Sequence, residues 1–245
     1  MMRNTHDSEN KNAEQAEGTL SLRPVAFMRS DFGTKFGLPR QSGLVEELYG
    51  CVVFEKEFSD PAAFRGLEGF SHIWLLWGFS EAVRGDWSPT VRPPRLGGNT
   101  RLGVFGTRSP FRPNPIGLSC VRLRAVRQEA GRILLDVAGA DLMNGTPIYD
   151  VKPYLPLTDC RPDAASGFAG EVAGDRLTVT VPDALLERLP EDRRAPLCAV
   201  LRGDPRPSYQ HTPDRIYGFS YAGFEVRFRV DDALGELTVV SIDAP

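Results

Sequence analysis

Arginine dominates the chemistry that this sequence offers. Between residues 84 and 112 stand six arginines (Arg84, Arg92, Arg95, Arg101, Arg108 and Arg112) against one acid, Asp86, a local balance of +5 in a chain whose net charge is −3. Guanidinium forks match the oxygens of phosphates and carboxylates, and a proline-stiffened segment holds them at little ordering cost. Charge alone leaves two readings level. One is an anion site, with an RNA backbone among its ligands; the other is a solvated loop whose arginines pair with neighbouring acids. The spacing around Arg108 and Arg112 is more specific. They bracket Ser109-Pro110-Phe111, so two cations, a hydroxyl and an aromatic face fall within five residues. Gly97, Gly98 and Gly106 allow a ligand or another stretch of backbone to approach closely. That combination favours a small-molecule or nucleotide pocket over a mere lid on a barrel mouth.

A second cluster runs from Asp141 to Tyr154 (DLMNGTPIYDVKPY). Asp141 precedes an Asn144-Gly145 turn and could accept hydrogen bonds from a ribose diol. Asp150 and Lys152 share one face of a strand, where a plain surface ion pair is the simpler account. Farther on, Asp204, Arg206 and Tyr209 lie on a Pro-stiffened turn, which either reaches into a site across a dimer interface or only connects two elements. His72 sits in the apolar run FSHIW as a core histidine. The remaining histidines, His6 and His211, and the scattered Cys51, Cys120, Cys160 and Cys198 build no metal set. Neither a glycine-rich dinucleotide loop, a Walker sequence nor a nucleophile elbow is present.

The elements that must position these residues read mostly as strands. Leu20–Phe27, Leu48–Phe54, Phe70–Phe79 and Pro147–Leu155 carry strand patterns, with a short buried helix as the alternative for Leu48–Phe54, and Ile116–Arg127 with Arg132–Val137 form a hairpin about Gly131. Pro61–Leu67 makes one or two helical turns. The loop from Gly85 to Gly117 is too rich in proline for regular ladders. These strands with few helices predict a closed or nearly closed barrel. Composition shifts near Asp159–Gly170. We therefore expect a disordered tail over 1–18, a barrel domain over 19–160 and a small α+β domain over 161–245. In the latter, Arg176–Val181 is a strand, Asp183–Leu189 a helix capped by Asp183, and Ala195–Arg202 a helix. Phe224–Val230 and Leu237–Ile242 form a terminal hairpin.

The hydrophobic fraction of 41% and charged fraction of 25% describe a folded chain. The longest near-apolar run, Ile73–Phe79, is far short of a membrane span. With no signal sequence and unpaired cysteines, a cytoplasmic protein is expected.

The segments PRQSG (39–43), FSHIW (70–74), PTVRPPRLGGNTRLGVFGTRSPFRPNPIG (89–117) and DLMNGTPIYDVKPYLP (141–156) together closely resemble the TsaA-like family of tRNA (adenine-N6)-methyltransferases. The resemblance spans about Leu20 to Pro156 and continues more faintly through DPRPSY (204–209). It implies a mainly β chain with a β-barrel that binds S-adenosylmethionine, a homodimer, and methylation of N6 of threonylcarbamoyladenosine at tRNA position 37. The implied cofactor contacts are Pro39, Arg40, Gln41, Phe79, Ser80, Arg108, Leu118 and the turn Asp141, Leu142, Met143, Asn144. The threonine carboxylate and the tRNA fall to Arg92, Arg95 and Arg112, with Asp204, Arg206 and Tyr209. Asp150, Lys152 and Tyr154 are the groups to orient or deprotonate N6. Two positions depart from the family pattern: Ser80 stands where a histidine is expected, and Asn144 where an aspartate is. The alternative is a non-catalytic module of the same fold that binds S-adenosylmethionine or RNA.

Overall fold

In the computed structural model, the described residues are 20–82, 87–93, 96, 100–171, 176–206, 212 and 215–244. The first strands are β1 (Ala26–Arg29), β2 (Tyr49–Phe54) and β3 (His72–Gly78). Two short strands, β4 (Thr90–Val91) and β5 (Leu102–Gly103), pair inside the Pro/Arg loop. Then come β6 (Ile116–Glu129), β7 (Arg132–Ala138) and β8 (Pro147–Pro153). Six of them close in the order β1-β2-β7-β6-β3-β8, and every neighbouring pair is antiparallel. Closure removes the open edges that a six-stranded sheet would otherwise expose.

Side-chain alternation explains which face is inside. Along β3, Ile73, Leu75 and Trp77 are buried while His72, Trp74 and Leu76 are half-buried on the outer face. They meet Met28, Val52, Val121, Leu135, Val137 and Ile148 in the barrel core. Fully burying each such side chain contributes about 1.5–3 kcal/mol, so the core sets the strand register. The barrel expected from the sequence is borne out. Two details differ. β1 begins at Ala26, beyond Pro24, which has no N–H to donate. The Pro/Arg loop does contain a ladder, a two-residue one that pairs Thr90 with Gly103 and Val91 with Leu102.

After short helices α1 (Pro156–Asp159) and α2 (Phe168–Glu171), the chain forms β9 (Thr178–Thr180), α3 (Asp183–Leu186) and α4 (Glu191–Arg202). β10 (Tyr217–Tyr221), β11 (Phe224–Asp231) and β12 (Glu236–Asp243) complete a sheet of order β10-β11-β12-β9. Asp183 is the first helical residue and makes no capping bond; Pro182 holds the cap position. The sequence reading did not include β10.

A second core joins α4 to this sheet through Leu197, Leu201, Phe219, Tyr221, Val226, Phe228 and Leu237. It also takes Phe32, Val45 and Leu48 from the long β1–β2 loop. The loop crosses closely: Gly37 has φ +86°, and a Cβ there would stand 2.3 Å from the Phe219 ring. Its far limb returns to the barrel, where the Gly43 N–H donates to the Gly139 carbonyl at 2.9 Å. Among the described residues no helix is long and apolar enough to cross a membrane.

Candidate active site

Glycine at 117 is the first requirement of the site. It faces Trp77 across the β3–β6 ladder, and a Cβ there would lie 2.3 Å from the indole. Without that Cβ the indole lies flat across β6 and its Nε1 donates to the buried Ser119 Oγ at 3.0 Å. Ser119 in turn donates to Asp141 Oδ1 at 2.6 Å. Phe79 leans on Trp77 with ring centroids 4.3 Å apart, and its N–H is held by the Pro115 carbonyl. The result is a carboxylate fixed at one end of the barrel beside an aromatic pair.

Burial pushes the Asp141 carboxyl above its ordinary range; the Ser119 hydroxyl, its own and the Ser42 backbone N–H groups and the Arg108 charge act the other way. Desolvation wins, which leaves a carboxylate that gains by meeting a cation or a pair of donors. Arg108 itself is exposed and donates to Gln41 Oε1, while Gln41 Nε2 donates to the Arg40 carbonyl at 2.6 Å. Arg40 Nη2 donates to the Arg206 carbonyl at 2.8 Å. The Pro39–Ser42 limb is thus gripped between the barrel rim and the C-terminal unit. Gln41, Arg108 and Asp141 are brought together from three distant stretches.

The other expected contacts differ in exposure and direction. Leu142 is 1% exposed and its side chain belongs to the barrel core. Met143 and Pro39 are half-buried, and Ser80 is exposed at the start of a short turn. Asn144 ties the turn to the end of β1: its Oδ1 accepts the Ser30 N–H at 3.3 Å and its N–H donates to the Phe32 carbonyl at 2.8 Å. The amide found here therefore serves the backbone. Leu118 points outward from β6, opposite Leu76, and is 55% exposed. Asp150 lies opposite Leu76 and Lys152 opposite Trp74, so both share that outer face. They form an exposed ion pair at 2.8 Å, and Tyr154 packs against Trp74 and His72. This row and Leu118 face away from the Trp77–Ser119–Asp141 set.

The C-terminal turn is built around one guanidinium. Arg206 is 3% exposed, and its guanidinium is engaged by Asp204 at 2.9 Å and Asp232 at 2.7 Å. Asp204 adopts φ +50° to close that contact. The side chain expected to face tRNA is buried here as a brace, with two carboxylates offsetting part of its desolvation. Arg92 is exposed and Arg112 half-buried, whereas Arg95 and Tyr209 lie outside the described residues. Ser119 and Trp77 escaped the sequence reading. Their signal was present: Gly117, Ser119 and Val121 alternate inward, and a hydroxyl at a core position demands a partner. Among the described residues no group of three His, Cys, Asp or Glu side chains could hold a metal ion.

A closed antiparallel barrel with a carboxylate, a guanidinium and an aromatic pair at one rim is a scaffold for a small molecule bearing both charges. Residues 27–160 match the model of the tRNA-methyltransferase O N-terminal domain, and residues 176–245 that of the TrmO C-terminal domain. The chain belongs to the tRNA-methyltransferase O family. It is 41% identical over 223 residues to the tRNA (adenine(37)-N6)-methyltransferase of Escherichia coli, covering 88% of this chain and 95% of that one. A putative S-adenosylmethionine-dependent methyltransferase of Pseudomonas aeruginosa is 41% identical over 82% of this chain and 88% of its own length. The crystal structure of TrmO from P. aeruginosa superposes with a TM-score of 0.74 at 34% identity, covering 93% of this chain and 98% of that one.

Proposed function

We propose that this chain transfers the methyl group of S-adenosylmethionine to N6 of adenosine 37 in tRNA, where that adenosine carries a threonylcarbamoyl group. The observation that carries the reading is the desolvated Asp141, set beside Arg108 and the Trp77–Phe79 pair at the rim. Enzyme relatives with near full-length coverage favour catalysis over a non-catalytic module.

The donor set fits the cofactor. Asp141 can accept from an ammonium or a ribose diol, Arg108 can pair with a carboxylate, and the aromatic rings suit a sulfonium or adenine face. When bound, S-adenosylmethionine supplies an electrophilic methyl, and alignment alone lowers much of the barrier to an in-line displacement. The carbonyl attached to N6 makes its proton more acidic than that of plain adenosine, so a weak base suffices. Asp150, in contact with Lys152, and Tyr154 are the groups we assign to orient or take that proton. Arg92, Arg95 and Arg112 are assigned to the threonine carboxylate and the RNA backbone. The rim set and the outer-face row point in different directions, which supports a homodimer in which the two faces of different copies meet. A tRNA substrate is in keeping with the cytoplasmic setting expected from the sequence.

The test is nucleoside mass analysis of tRNA after incubation with isotopically labelled cofactor. One labelled methyl on threonylcarbamoyladenosine at position 37 is expected. Label at another nucleotide, or none despite cofactor binding, would refute the reading.

A further inference from the structure

Two large aromatic side chains of the Pro/Arg loop face solvent side by side. Trp87 is 51% and Phe105 is 71% exposed, and their ring centroids stand 6.2 Å apart at an interplanar angle of 39°. Singly exposed aromatics are common and need no explanation, but an adjacent pair on one loop does. The pair is joined by a cation: the Arg112 guanidinium lies 5.8 Å from the Phe105 ring centre. Arg112 is itself steered there by a hydrogen bond from Nη1 to the Thr107 carbonyl at 3.0 Å.

The loop's backbone fixes this arrangement. Val104 donates its N–H to the Pro89 carbonyl at 2.9 Å, just after the β4–β5 ladder, and so brings the chain next to Phe105 beside the chain next to Trp87. The short turn Val104–Gly106 then closes with the Thr107 N–H on the Val104 carbonyl. Arg108 follows at once and touches Gln41 in the rim site. Three residues of chain span at most about 11 Å, so the rings lie within a nucleotide or two of that site.

The surrounding charge selects the partner. Among the described residues, Arg92, Arg101, Arg108 and Arg112 form no ion pair with a carboxylate; Arg101 reaches only the Thr90 hydroxyl, at 3.2 Å. Exposed rings between unneutralised guanidinium groups suit an unpaired base with its phosphates, because every base has a stacking face and each phosphate a charge. An apolar partner would leave those cations desolvated without compensation.

We propose that Trp87, Phe105 and Arg112 form a stacking platform for an unpaired nucleotide next to the one that enters the rim site. The proposal rests on the tRNA-methyltransferase reading and adds where the neighbouring base is held. It is tested on the full chain by binding of an anticodon stem-loop RNA and by methylation kinetics on tRNA. Trp87→Ala is expected to weaken RNA binding about tenfold. It should raise KM for tRNA while leaving kcat and S-adenosylmethionine affinity unchanged, and Trp87→Phe should restore most of the loss. Its slope of affinity against salt should match the parent, whereas Arg112→Ala should reduce that slope by about one. A Trp87→Ala, Phe105→Ala double variant that binds RNA like the parent, or that loses only self-association, overturns the platform and leaves the methyltransferase reading standing. A parent protein that neither binds nor methylates this RNA overturns both.

Discussion

Two proline-stiffened, arginine-bearing segments use the same side chain in opposite ways. In the loop between β3 and β6, Arg101 meets a hydroxyl, Arg108 an amide, and Arg112 a carbonyl and an aromatic ring, and no described arginine of the loop reaches a carboxylate at ion-pair distance. In the turn after α4, Arg206 is buried between Asp204 and Asp232. A guanidinium left without an acid is held ready for a ligand; one given two acids is a brace. The brace still serves the site, because the Arg206 carbonyl anchors Arg40, next to Gln41. The C-terminal unit therefore holds the Pro39–Ser42 limb through the backbone of one turn.

The contrast can be broken by exchanging the outcomes of two truncations. Arg206→Ala is expected to have the larger effect, a loss of about 3 kcal/mol in urea unfolding. That is the low end for breaking a buried pair, since the carboxylates left behind keep some water. A loss below about 1 kcal/mol would return Arg206 to the class of exposed arginines. Arg108→Ala should leave the unfolding midpoint in place while weakening S-adenosylmethionine binding by about 2 kcal/mol, the cost of one charge-assisted contact. Calorimetric titration measures this, and unchanged affinity in a folded variant would remove Arg108 from the site.

Much of this was legible in the sequence, for identifiable reasons. The barrel strands could be read because HIWLLWG and RILLDVA put large apolar groups where closure needs them. β10 could not, because YGFSY fills its outer positions with Gly218 and Ser220, both poor in strand propensity. Helix α4 starts four residues before its expected beginning, since Pro190 caps a polar first turn that carries no apolar period. The crossing of Phe32, Val45 and Leu48 into the second core was hidden by the Pro/Gly punctuation between them. Counting charges could not separate Arg206 from Arg108. Asp204 is two residues away, but Asp232 arrives only through the fold, 26 residues on.

In the proposed function, Asp141 is kept as a desolvated carboxylate that reads the cofactor. Its pKa is raised in the folded chain, chiefly by burial. The folded state therefore holds this proton at pH values where the unfolded chain has released it, and stability falls as pH rises through that window. Above it the ionised group is a cost to the fold, which Asp141→Asn removes. Calorimetric titration of S-adenosylmethionine against the parent and Asp141→Asn, across a pH series with unfolding midpoints recorded alongside, tests this directly. The parent should lose affinity on acidification, beginning above the usual carboxylate range. The variant should bind weakly at every pH and be no less stable than the parent at neutrality. A variant that binds as tightly as the parent, with the same pH course, would contradict the account.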